Sequence, residues 1–168
     1  MYKTAIGQDS HRFVENNETT KELVLGGYMI PDCPGLKGNS DADVILHSIT
    51  NAISGITGRN ILGPVSDEMC RNGVTDSAEY LRVALNDLNR FKICHVSISL
   101  ECSRPKILPH IVGIKQSVAG LLGVSIQDIG LTATSGEGLT DFGKGLGIQC
   151  FVILSVTDET DDLCETQN

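Results

Sequence analysis

The chain has 168 residues and a formal net charge of −8, with 40% hydrophobic and 20% charged residues. This length suits one domain with a substantial core. The acidic balance, without any cluster of lysine and arginine, argues against a nucleic-acid partner. The N-terminal residues contain no apolar run long enough for a signal peptide or a membrane span, which indicates a cytoplasmic protein.

Strands and helices are predicted to intermix along the chain. Alternating and β-branched segments predict strands over residues 2–13, 21–30, 92–102, 128–135 and 147–156. Apolar residues at helical spacing predict helices over residues 40–56, 75–91 and 110–123.

This order of elements predicts the fold class. We expect an α+β two-layer sandwich, in which a mixed sheet is packed by helices. Residues 1–156 are expected to form a single domain. The acidic remainder, residues 157–168, has little apolar content and is expected to be a disordered tail.

Asp9 and His11 lie two residues apart in the first predicted strand. Residues i and i+2 of a strand project from the same face, so both side chains can reach one ion. The alternative is an exposed polar pair on a half-solvated strand. His47 favours the metal interpretation, because it lies on the polar side of the first predicted helix, one turn after Asp43. Two histidines and one aspartate leave a fourth position open, which is typical of a catalytic zinc site.

The residues just before this helix can favour an anion. Ser40 supplies a hydroxyl at the predicted start of the helix, whose free amide groups would hold a phosphate close to the ion. The alternative is that Ser40 or Asp41 only caps the helix, with first-turn acids complementing its dipole. Both interpretations can hold together.

A glycine-rich loop, GEGLTDFGKG, separates the last two predicted strands and lies within the longer segment TATSGEGLTDFGKGLG. Thr134 and Ser135 offer hydroxyls there, and Glu137 can hold an oxygen-seeking cation such as Mg²⁺. The segment lacks the GxxxxGK[ST] pattern of a Walker loop, and a simple hairpin connection explains it equally well. Lys106, between two prolines in RPKILPH, is either a ligand contact or a solvated lysine.

Four stretches together resemble the 2-C-methyl-D-erythritol 2,4-cyclodiphosphate synthase family in order and spacing. They are GQDSHRF, NSDADVILHSITNAISG, RPKILPHI and TATSGEGL. The resemblance runs over residues 5–156, and the combination of D-x-H, S-D-x-D-V-x-x-H and P-K-x-L-P is specific although each part alone is weak. It implies a homotrimer with active sites between neighbouring subunits.

The resemblance also implies a metal-dependent lyase of the non-mevalonate isoprenoid pathway. The family's substrate is 4-diphosphocytidyl-2-C-methyl-D-erythritol 2-phosphate, whose 2-phosphate attacks the β-phosphorus, expels CMP and closes a cyclic diphosphate. By resemblance, Zn²⁺ or another divalent cation is held by Asp9, His11 and His47. A Mg²⁺ or Mn²⁺ ion near Glu137 would bridge the substrate diphosphate.

Further site residues follow from the resemblance, with Asn39 and Ser135 as the expected catalytic residues. The region from Pro105 to Leu108 would belong to the cytidine pocket, and Thr134 and Ser135 would contact the α-phosphate. The full set of expected substrate contacts is Asp9, Ser10, His11, Asn39, Ser40, Ile61, Leu62, Gly63, Asp67, Pro105, Lys106, Ile107, Leu108, Thr134, Ser135, Gly136, Glu137 and Lys144.

The chain departs from the family pattern in several places, including Ser135, Asp141, Lys144 and Phe151, and two further departures bear on the expected substrate contacts. Asn39 replaces a histidine that steadies the β-phosphate, so it can donate a hydrogen bond but brings no positive charge. An ungapped alignment places Ile61 where an erythritol-binding aspartate is usual, with Asp67 as the nearest acid downstream.

Two other functions fit the same residues. A zinc hydrolase would use Asp9, His11 and His47 to activate a water, but it needs a general base beside the open position, and no His or Glu is clearly placed for it. Asn39 and Ile61 suggest instead a catalytically silent trimer that binds CDP-type ligands and releases no CMP.

Overall fold

The computed structural model describes residues 1–15 and 21–158. The strands within these ranges are β1 (Tyr2–Arg12), β2 (Glu22–Leu25), β3 (Tyr28–Pro34), β4 (Phe91–Glu101), β5 (Ile129–Thr134) and β6 (Gly147–Asp158). The α-helices are α1 (Val44–Thr57), α2 (Pro64–Arg71), α3 (Ser77–Asn86) and α4 (Ile111–Leu122). None of the described helices combines the length and apolar character needed to cross a membrane.

Four strands form one mixed sheet in the order β1-β6-β4-β5. β6 is antiparallel to both of its neighbours, whereas β4 and β5 run parallel. The expected α+β class, with a mixed sheet packed by helices, is therefore confirmed. The loop between β5 and β6 is not the hairpin connection that was considered, because β4 lies between these two strands.

β2 and β3 form a separate antiparallel hairpin. The prediction of one continuous strand over residues 21–30 is therefore wrong. Gly26 and Gly27 turn the chain here, with φ angles of 65° and 73° that glycine adopts readily. The apolar residues on either side of the glycines concealed this turn in the sequence.

β6 extends to Asp158, two residues beyond the expected end of the domain at 156. Thr157 pairs with Tyr2, and the amide of Asp158 donates to the carbonyl of Met1 at 3.0 Å. β1 therefore pairs with β6 along its full length. The rest of the expected tail, residues 159–168, lies outside the described residues.

The start of α1 differs from the prediction. The N-cap is Asp43 rather than Ser40 or Asp41, and its carboxylate accepts from the amides of Ile45 and Leu46. The same carboxylate also accepts from the amides of Gly26 and Gly27 in the β2–β3 turn. Asp43 is completely buried, so these four donors replace the water that a carboxylate needs.

The other helices show two differences from the prediction. α3 spans Ser77–Asn86, with Asp76 as its N-cap, and is shorter than the predicted 75–91. α2 (Pro64–Arg71) was not predicted, because its short sequence is mostly polar. Its signals are the proline at the first helical position and Ser66, whose hydroxyl accepts from the amide of Gly63.

α1 packs closely against β1 at Gly7. A Cβ atom at this position would lie 1.9 Å from the carbonyl oxygen of Ser48 and 2.6 Å from the amide nitrogen of Ala52. Only glycine therefore allows the helix backbone to approach the strand this closely. Around this contact the core is filled by Ile45, Ile49 and Ile53 of α1 and by Val152, Leu154 and Val156 of β6.

Gly7→Ala is expected to destabilise the fold by about 1–3 kcal/mol, because the added methyl overlaps backbone atoms that cannot move independently. Gly120→Ala is the matched control, since nothing lies within 4 Å of a Cβ at that helical position. The control should be neutral or gain up to about 1 kcal/mol. Urea denaturation of both variants measures the difference, and equal stability would contradict the packing argument.

Candidate functional site

Asp9, His11 and His47 converge in the described structure. Asp9 and His11 project from one face of β1 toward α1, which supplies His47 from its first turn. Nδ1 of His47 lies 2.9 Å and Nε2 of His11 lies 3.1 Å from the same atom, Oδ2 of Asp9. Within residues 1–15 and 21–158, this is the one group of three or more His, Cys, Asp or Glu side chains that could hold a metal ion.

The charges within the triad are mutually stabilising. Burial would raise the pKa of Asp9, but hydrogen bonds and charge interactions with His11 and His47 hold this pKa well below its usual range. The pKa of His11 is raised, chiefly by its hydrogen bond to Asp9, although burial opposes the shift. Asp9 therefore stays ionised, as a metal ligand must be.

The hydrogen bonding of His11 also suits a metal ligand. Its Nδ1 lies 2.7 Å from the carbonyl oxygen of Lys37, which can only accept a proton. Neutral His11 therefore carries its proton on Nδ1 and keeps the lone pair of Nε2 free for an ion.

The donor set fits a divalent cation. One carboxylate oxygen and two imidazole nitrogens lie within 4.8 Å of one another. Zn²⁺ takes such ligands in tetrahedral geometry, and three protein ligands leave the fourth position for a substrate oxygen. The same donors also suit other divalent transition metals, so the structure supports a divalent site without selecting one metal.

A cleft of about 330 Å³ opens beside the triad. The predicted contacts Asn39, Ser40, Leu62 and Asp67 line it, and Gly63 follows Leu62 directly at the start of α2. Ile61 has 0% exposure and belongs to the core, so its side chain does not reach the cleft.

Four further residues line this cleft that the sequence did not predict as site residues: Asn51, Ser66, Cys70 and Tyr80. Asn51 lies on α1, Ser66 and Cys70 belong to α2, and Tyr80 lies on α3. Ser66 and Cys70 were missed because α2 itself was not predicted. Burial raises the pKa of Tyr80 to about 12, so its hydroxyl stays protonated and donates to the carbonyl of Val74 at 2.6 Å.

Two amides at the start of α1 are not free to bind an anion. The amides of Ile45 and Leu46 donate to the carboxylate of Asp43, so they have no capacity for a phosphate. A buried acidic cap thus occupies two of the donors on which the expected phosphate site depends. The expectation stays a prediction for the remaining groups at this helix start.

Hydrogen bonds from Lys21 hold the loop that carries Asn39 and Ser40. Nζ of Lys21 donates to the carbonyl oxygens of Ser40 at 2.5 Å and Gly38 at 3.3 Å. The Ser40 hydroxyl accepts from the amide of Ala42 and lies 3.5 Å from Nε2 of His47. The loop thus holds Asn39 exposed at the rim of the cleft.

A second cavity, of about 220 Å³, lies where β5 ends. Its lining includes the predicted residues Pro105, Lys106, Ile107, Leu108, Thr134 and Ser135. The Ser135 hydroxyl donates to the Glu137 carboxylate at 2.9 Å, and the amide of Gly136 donates to the Thr134 hydroxyl at 3.2 Å. Glu137 is exposed at the edge of this cavity.

Besides the buried Ile61, two other predicted contacts lie away from both cavities. Ser10 alternates with Asp9 and His11, so its side chain faces the opposite side of the sheet, where it lines a separate cavity with Arg12 and Asp141. Nζ of Lys144 lies 3.8 Å from the carboxylate of Asp141.

The triad and the second cavity lie at opposite edges of the sheet. Asp9 pairs with Cys150, Cys150 with Leu100, and Leu100 with Ala133, which lines the second cavity. This row crosses three strand spacings, roughly 14 Å in total.

The sheet, the Asp-His-His triad and the flanking cavities define an α+β domain built around a candidate metal site. The model of the YgbB family matches residues 2–157 of the chain. A relative from Chlamydia felis (strain Fe/C-56), named 2-C-methyl-D-erythritol 2,4-cyclodiphosphate synthase, is 46% identical over 160 residues, covering 94% of this chain and 90% of the relative. The chain therefore belongs to the YgbB family, which confirms the resemblance found in its sequence.

Solved structures agree with this assignment. The bifunctional IspDF from Campylobacter jejuni matches with a TM-score of 0.82 and 29% identity, over 95% of this chain and 44% of that protein. The chain thus spans less than half of the bifunctional protein. The CDP complex of IspF from Plasmodium falciparum matches with a TM-score of 0.78 and 25% identity, over 94% of this chain and 97% of that one.

His47→Ala is expected to weaken zinc binding by more than about 100-fold. Removing only the hydrogen-bond partner of a metal ligand lowers metal affinity by about 10- to 100-fold, and removing the ligand itself should lower it further. Titration of the metal-free protein with Zn²⁺ measures this. His110→Ala is the matched control, since His110 lies beside Tyr28 with ring centroids 6.0 Å apart and is not part of the triad. Equal zinc affinity in the two variants would remove His47 from the site.

Proposed function

We propose that this chain converts 4-diphosphocytidyl-2-C-methyl-D-erythritol 2-phosphate to the cyclic 2,4-diphosphate, with release of CMP, as a metal-dependent homotrimer. The convergence of Asp9, His11 and His47 beside a cleft, in a member of the YgbB family, carries this proposal. The name of the Chlamydia felis relative states the same activity.

The reaction requires positioning rather than a nucleophile from the protein. An oxygen of the substrate's own 2-phosphate forms a bond to the β-phosphorus. The bond from the β-phosphorus to the oxygen that bridges to the α-phosphate breaks, and CMP leaves with that oxygen. Holding the two phosphates together therefore supplies most of the catalysis expected of the chain.

Asp9, His11 and His47 would hold Zn²⁺ or another divalent cation, and Glu137 would hold Mg²⁺ or Mn²⁺ together with substrate phosphates. When bound, such cations supply Lewis-acid chemistry and neutralise charge on the diphosphate. Glu137 suits this role because its carboxylate is exposed beside the second cavity.

Side chains of the first cleft would bind the erythritol and β-phosphate portions. The amide of Asn39, exposed at the rim, would donate to a β-phosphate oxygen, and Ser40 lies beside it. Because Ile61 is buried, Asp67 is the remaining acid in this cleft to accept hydrogen bonds from the erythritol hydroxyls.

The second cavity would bind the cytidine nucleotide. Lys106 would place a positive charge near the ligand, and the hydroxyls of Thr134 and Ser135 would contact the α-phosphate. The Plasmodium falciparum structure is described as a CDP complex, which supports a nucleotide ligand for this fold.

A trimer would complete the active site. The triad and the nucleotide cavity lie at opposite edges of one sheet, so a neighbouring subunit is needed to bring the two kinds of cavity together. The sheet face opposite the helices offers a surface for such contacts. It exposes Ile6 (65%), Phe151 (42%) and Ile153 (50%), which lie on adjacent strands.

The zinc hydrolase alternative has less support. Such an enzyme needs a general base beside the metal-bound water. In the part of the chain that the structure describes, the cleft contains no His or Glu outside the triad, and Asp67 is the only further acid that lines it. Cyclisation, which needs no water, fits this lining better.

Incubation with 4-diphosphocytidyl-2-C-methyl-D-erythritol 2-phosphate, Zn²⁺ and Mg²⁺ should release CMP and a cyclic diphosphate. Chelation should lower the rate by more than about 100-fold, since the charge on the phosphates is then not neutralised. Mass spectrometry of the products measures the outcome. A linear product would favour the hydrolase, and metal-dependent binding without CMP release would favour the silent ligand-binding trimer.

Ile153→Asp should convert the trimer to monomers and remove activity, because a charge buried at an interface without a partner is strongly unfavourable. Sedimentation velocity measures the mass. Met29→Asp is the matched control: Met29 is also an exposed apolar residue, but it lies on the separate β2–β3 hairpin. An Ile153→Asp protein of unchanged mass would argue against this sheet face as the interface.

A further inference from the structure

We propose that Ser77 and Asp41 are positioning residues for His47, which they orient toward the metal through hydrogen bonds. The proposal rests on the metal site proposed above. Oγ of Ser77 lies 2.8 Å from Nε2 of His47, the ring nitrogen on the side away from Asp9. The same hydroxyl donates a hydrogen bond to Oδ1 of Asp41. The three side chains thus form one continuous chain of hydrogen bonds.

The direction of each hydrogen bond follows from the chemistry of Asp41. An ionised carboxylate can only accept, so the hydroxyl proton of Ser77 points to it. The backbone amide of Ser77 donates to the second oxygen of Asp41 at 3.2 Å, which fixes the carboxylate in place. With its proton directed to Asp41, the Ser77 oxygen acts as an acceptor toward His47.

This arrangement selects one tautomer of His47. With an ion bound, Nε2 would carry the proton and donate it to Ser77, and Nδ1 would present its lone pair to the ion in place of its hydrogen bond to Asp9. Nδ1 is the atom that lies 2.9 Å from Oδ2 of Asp9 and faces the candidate metal position. A ligand histidine held in this way needs no rotation of its ring when an ion binds.

Burial prevents water from replacing these contacts. Ser77 has 0% exposure and His47 has 8% exposure. Without the Ser77 hydroxyl, the Nε2–H group of His47 would retain only the weaker Ser40 contact at 3.5 Å. The ring would then be less restrained about its χ angles, and some of its orientations would turn Nδ1 away from the ion.

The two histidines of the triad are oriented by different kinds of group. The partner of His11 is a backbone carbonyl, that of Lys37, which no substitution removes. The partners of His47 are side chains from two separate segments, the loop before α1 and the first residue of α3. The orientation of His47 can therefore be tested by substitution without changing any proposed metal ligand.

A purely structural role for the same contacts makes a different prediction. The amide of Asp41 donates to the carbonyl of Thr75 at 2.8 Å, so this residue also fastens the loop to the start of α3. If fastening were the whole role, loss of the Ser77 hydroxyl would lower stability but leave metal affinity unchanged. Metal affinity therefore separates the two roles.

The test compares Ser77→Ala and Asp41→Asn with the unsubstituted full chain. Ser48→Ala is the matched control, because Ser48 is equally buried and directly follows His47, yet its hydroxyl donates to the carbonyl of Cys150 at 3.1 Å. The probes are Zn²⁺, whose dissociation constant is measured by competition with a chelator, and Co²⁺, whose visible spectrum reports ligand geometry. Thermal unfolding of each metal-free protein measures stability separately.

Ser77→Ala is expected to weaken Zn²⁺ binding by about 10- to 100-fold and to alter the Co²⁺ spectrum. Asp41→Asn should weaken binding in the same direction, and Ser48→Ala should remain within about threefold of the unsubstituted chain. Zinc affinity in Ser77→Ala and Asp41→Asn equal to that of Ser48→Ala would overturn the positioning role while leaving the metal site intact. Failure of the unsubstituted chain to bind either ion would overturn the proposed metal site as well.

Discussion

The approach of α1 to β1 at Gly7 is the contact on which the site depends. Asp9 and His11 belong to the strand, and His47 belongs to the helix, so the distance between these two elements sets the distance between the ligands. A side chain at Gly7 would push the helix backbone outward by more than an ångström, which exceeds the tolerance of a metal site. The geometry of the candidate site therefore requires glycine at position 7 as well as the three candidate ligands.

The net charge of the protein does not favour an anionic ligand, so any attraction must come from groups at the site itself. The chain carries a formal net charge of −8, yet its proposed substrate is a polyanion. The first cleft adds the carboxylates of Asp9 and Asp67, and no lysine or arginine lines it within the described residues. Because the amides of Ile45 and Leu46 are already bound by Asp43, a divalent cation at the candidate triad would be the main positive charge available to attract phosphate there.

Much of the candidate site was predictable from the sequence, because its signals are local. Strand periodicity placed Asp9 and His11 on one face, and helical periodicity placed His47 on the side that meets them. The contributions of Ser77 and Cys70 were not predictable, since they depend on where α2 and α3 pack over α1. The N-cap was predicted at Ser40 or Asp41 rather than Asp43 for a related reason, because the contacts that bury Asp43 depend on a turn at Gly26 that the sequence concealed.

The order of the strands carries a consequence for biosynthesis. β1 pairs with β6 alone within the described sheet, so the strand that bears Asp9 and His11 has no ladder partner until the last strand has been made. Because β6 also lies between β1 and β4, the four-stranded sheet cannot form until synthesis has reached β6. A nascent chain therefore contains Asp9, His11 and His47 long before β6 exists to pair with the strand that bears the first two. The three side chains of the candidate site are made early, whereas the sheet that fixes their positions is completed late.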